Sequence, residues 1–206
     1  MQPLRLVVLG DGYTHGTSTA APNRDSWPAQ LQAVTRGGDM RIRLVRNLAA
    51  SSRTSEDVLV DQLPQVESLQ PDLVTVQVGA NDIFTGTAIE TYRDNLGAIF
   101  DGLLEYVPAE HIFAITTPDH ELTERGRNLG RAGSDAGQVG EFNEALHAVA
   151  VERDIEIIDI APISELVIDD PSMVVGGGPD PSARQYAGWV EIIGQGSRRS
   201  LTASEP

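Results

Sequence analysis

Short apolar runs alternate with amphipathic helical patterns along nearly the whole chain, and no other feature restricts its fold so strongly. Leu4 to Leu9, Ile42 to Val45, Leu73 to Val78, Ile112 to Ile115 and Ile155 to Ile160 read as buried strands. Between them, apolar residues recur at helical spacing: Trp27, Leu31 and Val34; Leu59, Leu63 and Val66; Tyr92, Leu96, Ile99 and Leu103; Val139, Phe142, Leu146 and Val149; Tyr186, Val190 and Ile193. Strands separated by helices form right-handed βαβ units, so the pattern predicts an α/β fold: a five-stranded parallel sheet with helices on both faces. A chain of 206 residues fits one domain, placed at 1–196, and the polar stretch from Ser197 to Pro206 predicts a disordered tail.

Local signals place the helix starts. Ser26 reads as a cap before Trp27-Pro28, and Thr54 with Asp57 reads as a capping box. Pro64 is expected to kink or shorten the helix that follows Thr54. Pro118 to Ala136, rich in Gly, Arg and Asp, reads as a long surface loop or lid.

Charge narrows the partners. Thirty acidic residues face fifteen basic ones, all of them arginine, for a net charge of -15. Such a field argues against binding nucleic acid or an anionic membrane. It fits either a GC-rich codon bias or a saline environment that screens self-repulsion. The chain has no cysteine, which excludes disulfides, thiolate metal sites and a cysteine nucleophile. No apolar run is long enough to cross a bilayer, and Met1 to Gly10 lacks the pattern of a secretory signal, so a cytoplasmic location is the expectation.

In a parallel sheet, ligands bind beyond the carboxyl ends of the strands. Four segments stand there: Gly10-Asp11-Gly12-Tyr13-Thr14-His15-Gly16, Asn47 to Ser52, Gly79-Ala80-Asn81-Asp82, and Asp180-Pro181-Ser182-Ala183. In order and placement they resemble the four blocks of the GDSL (SGNH) hydrolases, with smaller likenesses at Asp25 to Pro28, Thr54-Ser55, Pro71 to Val74 and Phe142-Asn143. The resemblance implies a flavodoxin-like three-layer sandwich that cleaves carboxylic esters with a Ser-His-Asp triad, and it implies no cofactor. It also assigns roles. Gly12 falls where the nucleophilic serine belongs, Asp180 at the histidine, Gly177 at the orienting aspartate and Ser52 at the second-block glycine; Asn81 keeps its type.

The triad positions are therefore expected to be empty of their chemistry. The oxyanion donors differ, because two of them are backbone N–H groups that Gly12 and Ser52 still supply, beside the Asn81 amide. The expected function is a hydrolase scaffold, inactive or severely impaired, that binds a small acyl, acetyl or carboxylate ligand. The competing expectation is an ester hydrolase using water activated by His15 or Asp180. Asp11 and Asp82 are auxiliary candidates: either could pair with Asp180 for acid–base work or a hard metal ion, although the resemblance gives them a loop-bracing role and no metal centre is called. His111 and His147 read as structural and His120 as a loop residue. The Gly176 to Pro179 run lacks the lysine of a phosphate loop.

Overall fold

The computed structural model describes residues 2–128 and 137–203, with side chains described as far as Arg199. Five parallel strands form one sheet: β1 (Leu4–Gly10), β2 (Ile42–Asn47), β3 (Leu73–Gln77), β4 (Ile112–Ile115) and β5 (Glu156–Ile158), in the order β2-β1-β3-β4-β5. That order reverses direction between β1 and β3, which opens the crevice where ligands bind in open α/β sheets. The strands fall where the apolar runs predicted them, with β3 and β5 shorter than their runs.

The sheet separates two cores. On β1, Val7 and Leu9 face one cluster while Leu6 and Val8 face the other, as alternate side chains must. The first core packs the helices Ile89–Leu104 and Gln138–Val151 against the sheet through Tyr92, Leu96, Ile99, Phe100, Phe142 and Leu146. The second packs Trp27–Val34 and Ala183–Ala203 through Trp27, Leu31, Tyr186, Trp189 and Ile193. A sheet covered on both faces accounts for the buried central strands β1, β3 and β4, whereas the edge strand β2 carries Arg43, Arg46 and Asn47.

Four local expectations need correction. Val34 points to solvent at 66% exposure, because the helix ends there and only Trp27, Pro28, Ala29 and Leu31 of its residues are buried. Ser26 holds the N-cap position without a side-chain hydrogen bond, and instead packs against Gly16. The segment after Thr54 opens with the capping box, but passes through a π-helical stretch at Val58–Gln62 and a 3₁₀ turn at Leu63–Gln65 around Pro64. This re-phasing buries Val58, Gln62 and Val66 and leaves Leu59 and Leu63 on the flank. The last helix runs on to Ala203, beyond the point where a disordered tail was expected, and Ser197 is buried with its hydroxyl on the Ile193 carbonyl at 2.8 Å. Residues 204–206 of that tail, and 129–136 of the expected lid, lie outside the described residues. The described part of the lid holds a 3₁₀ turn, His120–Leu122, and a helical turn, Glu124–Arg127. No helix among the described residues is long and apolar enough to cross a membrane.

Candidate functional site

The loop after β1 is held by buried neutral amides. Gly10 turns with φ +152, and a Cβ there would overlap the Gln77 carbonyl, so the residue must be glycine. Gln62 brackets it: the Gly10 N–H donates to Gln62 Oε1 and Gln62 Nε2 donates to the Gly10 carbonyl, each at 2.9 Å. Gln77 gathers Thr14, Trp27 and the Thr116 carbonyl at 2.7, 3.2 and 3.1 Å. Asn143 performs the same service after β4, accepting from the Thr117 N–H and donating to its carbonyl. Amides satisfy buried backbone groups without placing a charge in the core.

Asp11 follows as the cap of the turn Gly12–His15, accepting the Tyr13 N–H at 2.9 Å and hydrogen bonds from the Gly79 and Ala80 backbones. It thereby ties the first loop to the third. Its carboxyl is 1% exposed, and burial pushes its pKa up to about 7; the Tyr13 hydrogen bond opposes the shift and the Asp82 charge adds to it. Asp82 is also buried and braces the second loop, accepting from the Ser55 N–H at 2.9 Å and the Ser55 hydroxyl at 2.6 Å. Burial raises its pKa as well, against those two hydrogen bonds.

These braces shape a pocket of about 240 Å³ beyond the strand ends. Gly12, Ser52, Asn81, Asp180 and Asp11 all line it, so residues from four distant parts of the sequence converge there. Ser52 sits at φ +60, a conformation that favours glycine and suits the second-block position. Among the described residues the Gly12 and Ser52 N–H groups donate no hydrogen bond, and the Asn81 side chain donates none. A carbonyl or oxyanion in the pocket would find all three unused.

Other predicted residues lie outside the lining. Gly177 sits at the exposed tip of a turn, at φ +68, where the chain doubles back through the Val174–Pro181 bridge; a Cβ there would meet nothing within 4 Å. His15 is half-buried, with Nδ1 3.0 Å from the Ala49 carbonyl, and joins the first two loops. His120 is 3% exposed and packs edge-on against Phe84 at 4.7 Å, so it is a core residue and not a loop one; burial lowers its pKa to about 4. Asp82 does not reach the pocket, and no group of three possible metal ligands occurs among the described residues.

Tyr13, Ser51 and Ala80 lie in the segments read as the ligand site but were given no wall role, and Thr17, Ser18, Phe84 and Pro179 were missed as pocket walls. Tyr13 and Phe84 carried a signal: one follows Gly12, and the other lies one helical turn beyond Asn81. The Thr17 and Ser51 hydroxyls are 2.5 Å apart, beside the space a Gly12 side chain would occupy.

No curated protein matches the chain by sequence. Solved structures match its fold. A lipase/acylhydrolase from Enterococcus faecalis is 19% identical, with a TM-score of 0.73 over 95% of this chain and 96% of the other. The acetylxylan esterase Axe2 from Geobacillus stearothermophilus is 16% identical, with a TM-score of 0.76 over 94% of each chain. The α/β hydrolase LAE5 from the metagenome of Lake Arreo is 18% identical, with a TM-score of 0.75 over 95% of each. The model of the GDSL-like lipase/acylhydrolase family matches residues 8–191, and the chain belongs to that family.

Proposed function

We propose that this chain is a member of the family without the family's catalytic triad, and that its pocket holds the carbonyl of a small acyl or acetyl compound, or a carboxylate, without hydrolysing it. One observation carries this reading: unused donors on Gly12, Ser52 and Asn81 share a pocket whose lining includes no histidine. Gly12 has no oxygen to attack with. Hydroxyls do line the wall, but no imidazole stands there to take their protons. Donors aimed at a carbonyl are the part of an acyl-transfer site that survives loss of the nucleophile. The acetylxylan esterase among the structural neighbours adds weight to an acetyl group.

Nitrophenyl acetate hydrolysis by the purified chain and by Asn81→Ala tests the reading. Equal, background-level rates are expected. Turnover that depends on the protein and disappears in Asn81→Ala contradicts it.

A second reading, hydrolysis by water activated by Asp180, draws on the place of Asp180 in the pocket wall. His15 has less support as a base, since it is outside the lining and its Nδ1 meets Ala49. A pH–rate profile that disappears in Asp180→Asn would favour that reading.

A further inference from the structure

The charges around the pocket choose among acyl compounds. Two carboxyl groups, Asp11 and Asp180, line it, and among the described residues no arginine or histidine does. Asp11 is committed to backbone N–H groups on three residues. Asp180 is not. Its main chain is fixed by the Val175 N–H on its carbonyl at 2.9 Å and by the adjacent bridge at Pro181, but its carboxylate has no ion pair or hydrogen bond among the described residues. Arg184, four residues on, pairs with Asp170 instead at 3.1 Å, and the Arg125 guanidinium lies beside Gly178 outside the lining.

A second observation is independent of that carboxylate. Tyr13 lines the pocket at 4% exposure, and its hydroxyl is buried with no hydrogen-bond partner. Native proteins rarely leave such a group unsatisfied, and the common reason is a ligand or water that completes it. Burial, and after it the nearby Asp11 and Asp180 charges, hold this hydroxyl in its neutral form, well above the usual tyrosine pKa. Phe84 adds a second aromatic wall.

We infer that the pocket takes an acyl compound that also carries a free amine, with its carbonyl oxygen on the Gly12, Ser52 and Asn81 donors and its protonated amine against Asp180 and the Tyr13 hydroxyl oxygen. The inference rests on the binding reading above and names its ligand class. An ammonium group offers three donors and no acceptor, which suits a free carboxylate beside a phenol oxygen. A free carboxylate ligand would instead meet Asp180 as a like charge. The net charge of -15 draws cations to the surface and repels anions. At roughly 30 Å³ per water molecule, a volume of about 240 Å³ admits a ligand of roughly eight heavy atoms.

Three matched, non-hydrolysable probes test this: N-acetylethylenediamine (cationic), N-acetylethanolamine (neutral) and N-acetylglycine (anionic), titrated near neutral pH while the backbone amides are followed by NMR. The amine is expected to bind about tenfold tighter than the alcohol, as one partly solvated charge pair allows, with the acid weakest. Asp180→Asn should reduce the amine to the level of the alcohol, and Tyr13→Phe should weaken it less. Added salt should weaken only the amine, a measurement that needs no variant. An alcohol or acid that binds as well as the amine, a preference that survives Asp180→Asn, or one that ignores salt overturns the inference. Shifts at the Gly12 and Ser52 amides without charge selectivity leave the binding reading intact and sink only the amine. If no probe shifts those amides, the binding reading fails and the inference fails with it.

Discussion

Gln62 holds both backbone groups of Gly10, its amide oxygen taking the N–H and its amide nitrogen giving to the carbonyl, each at 2.9 Å in a buried setting. The residue that aims the first loop is thus satisfied by a side chain from a helix more than fifty positions away. Gln62→Leu keeps much of the volume but leaves two backbone groups unpaired. Each such group costs about 1–3 kcal/mol, so urea denaturation should show a loss of roughly 2–6 kcal/mol. A loss within experimental error would show that the bracket is dispensable.

The buried Asp11 carboxyl makes stability depend on pH. Its folded-state pKa is about 7, while an unfolded aspartate releases its proton near pH 4. Between those values the native state binds more protons, so this contribution is full below about pH 4 and is lost as pH rises through about 7. Asp82 and Asp119, also raised by burial, act in the same direction, whereas buried His120, lowered to about 4, acts in the opposite one. Comparing the parent with Asp11→Asn isolates the Asp11 contribution together with its coupling to Asp82. The variant should gain stability relative to the parent as pH rises from about 4 to 8, by a few kcal/mol in all. Denaturation midpoints across that range check it, and a constant difference contradicts it.

Ser52 occupies left-handed backbone at φ +60. Glycine adopts that conformation without the roughly 1–2 kcal/mol penalty of an ordinary residue. Ser52→Gly should therefore stabilise the chain by about 0.5–1 kcal/mol, after allowing for the greater freedom of glycine when unfolded, and thermal denaturation measures it.

Two glycines at triad positions differ physically. A Cβ at Gly12 would meet Thr17 Oγ1 at 3.5 Å and the Ser51 Cα at 3.8 Å, ordinary contacts that leave room for a side chain. Gly12→Ser should change stability by no more than about 0.5 kcal/mol. Gly177 is at φ +68, so Gly177→Asp should cost about 1 kcal/mol while reaching no neighbour. Melting curves of the two variants separate these outcomes.

The sheet was legible because its central strands are largely apolar on both faces and end in turn residues, as at Leu9-Gly10-Asp11. The Thr54–Asp57 capping box was legible because its chemistry is local. Periodicity misled where long-range contacts decide. Gln62 is polar in the sequence and buried in the fold because Gly10 needs it, and the π-helical stretch that turns it inward shifts Leu59 and Leu63 aside. Ser197 reads as a solvated tail but closes against Ile193. Gly12, Ser52, Asn81 and Asp180 line one pocket, while motif spacing could not show that Gly177 sits at an open turn or that His15 is tied to Ala49. The pocket walls Tyr13 and Phe84 needed the three-dimensional arrangement.

The central claim is that the pocket binds an acyl carbonyl and does not turn it over. Nitrophenyl acetate hydrolysis, measured across pH for the parent and for Asn81→Ala at equal concentration, tests it most directly. The account predicts two superimposable profiles at the rate of buffer alone. A parent rate that rises above buffer in proportion to protein and disappears in Asn81→Ala would contradict it.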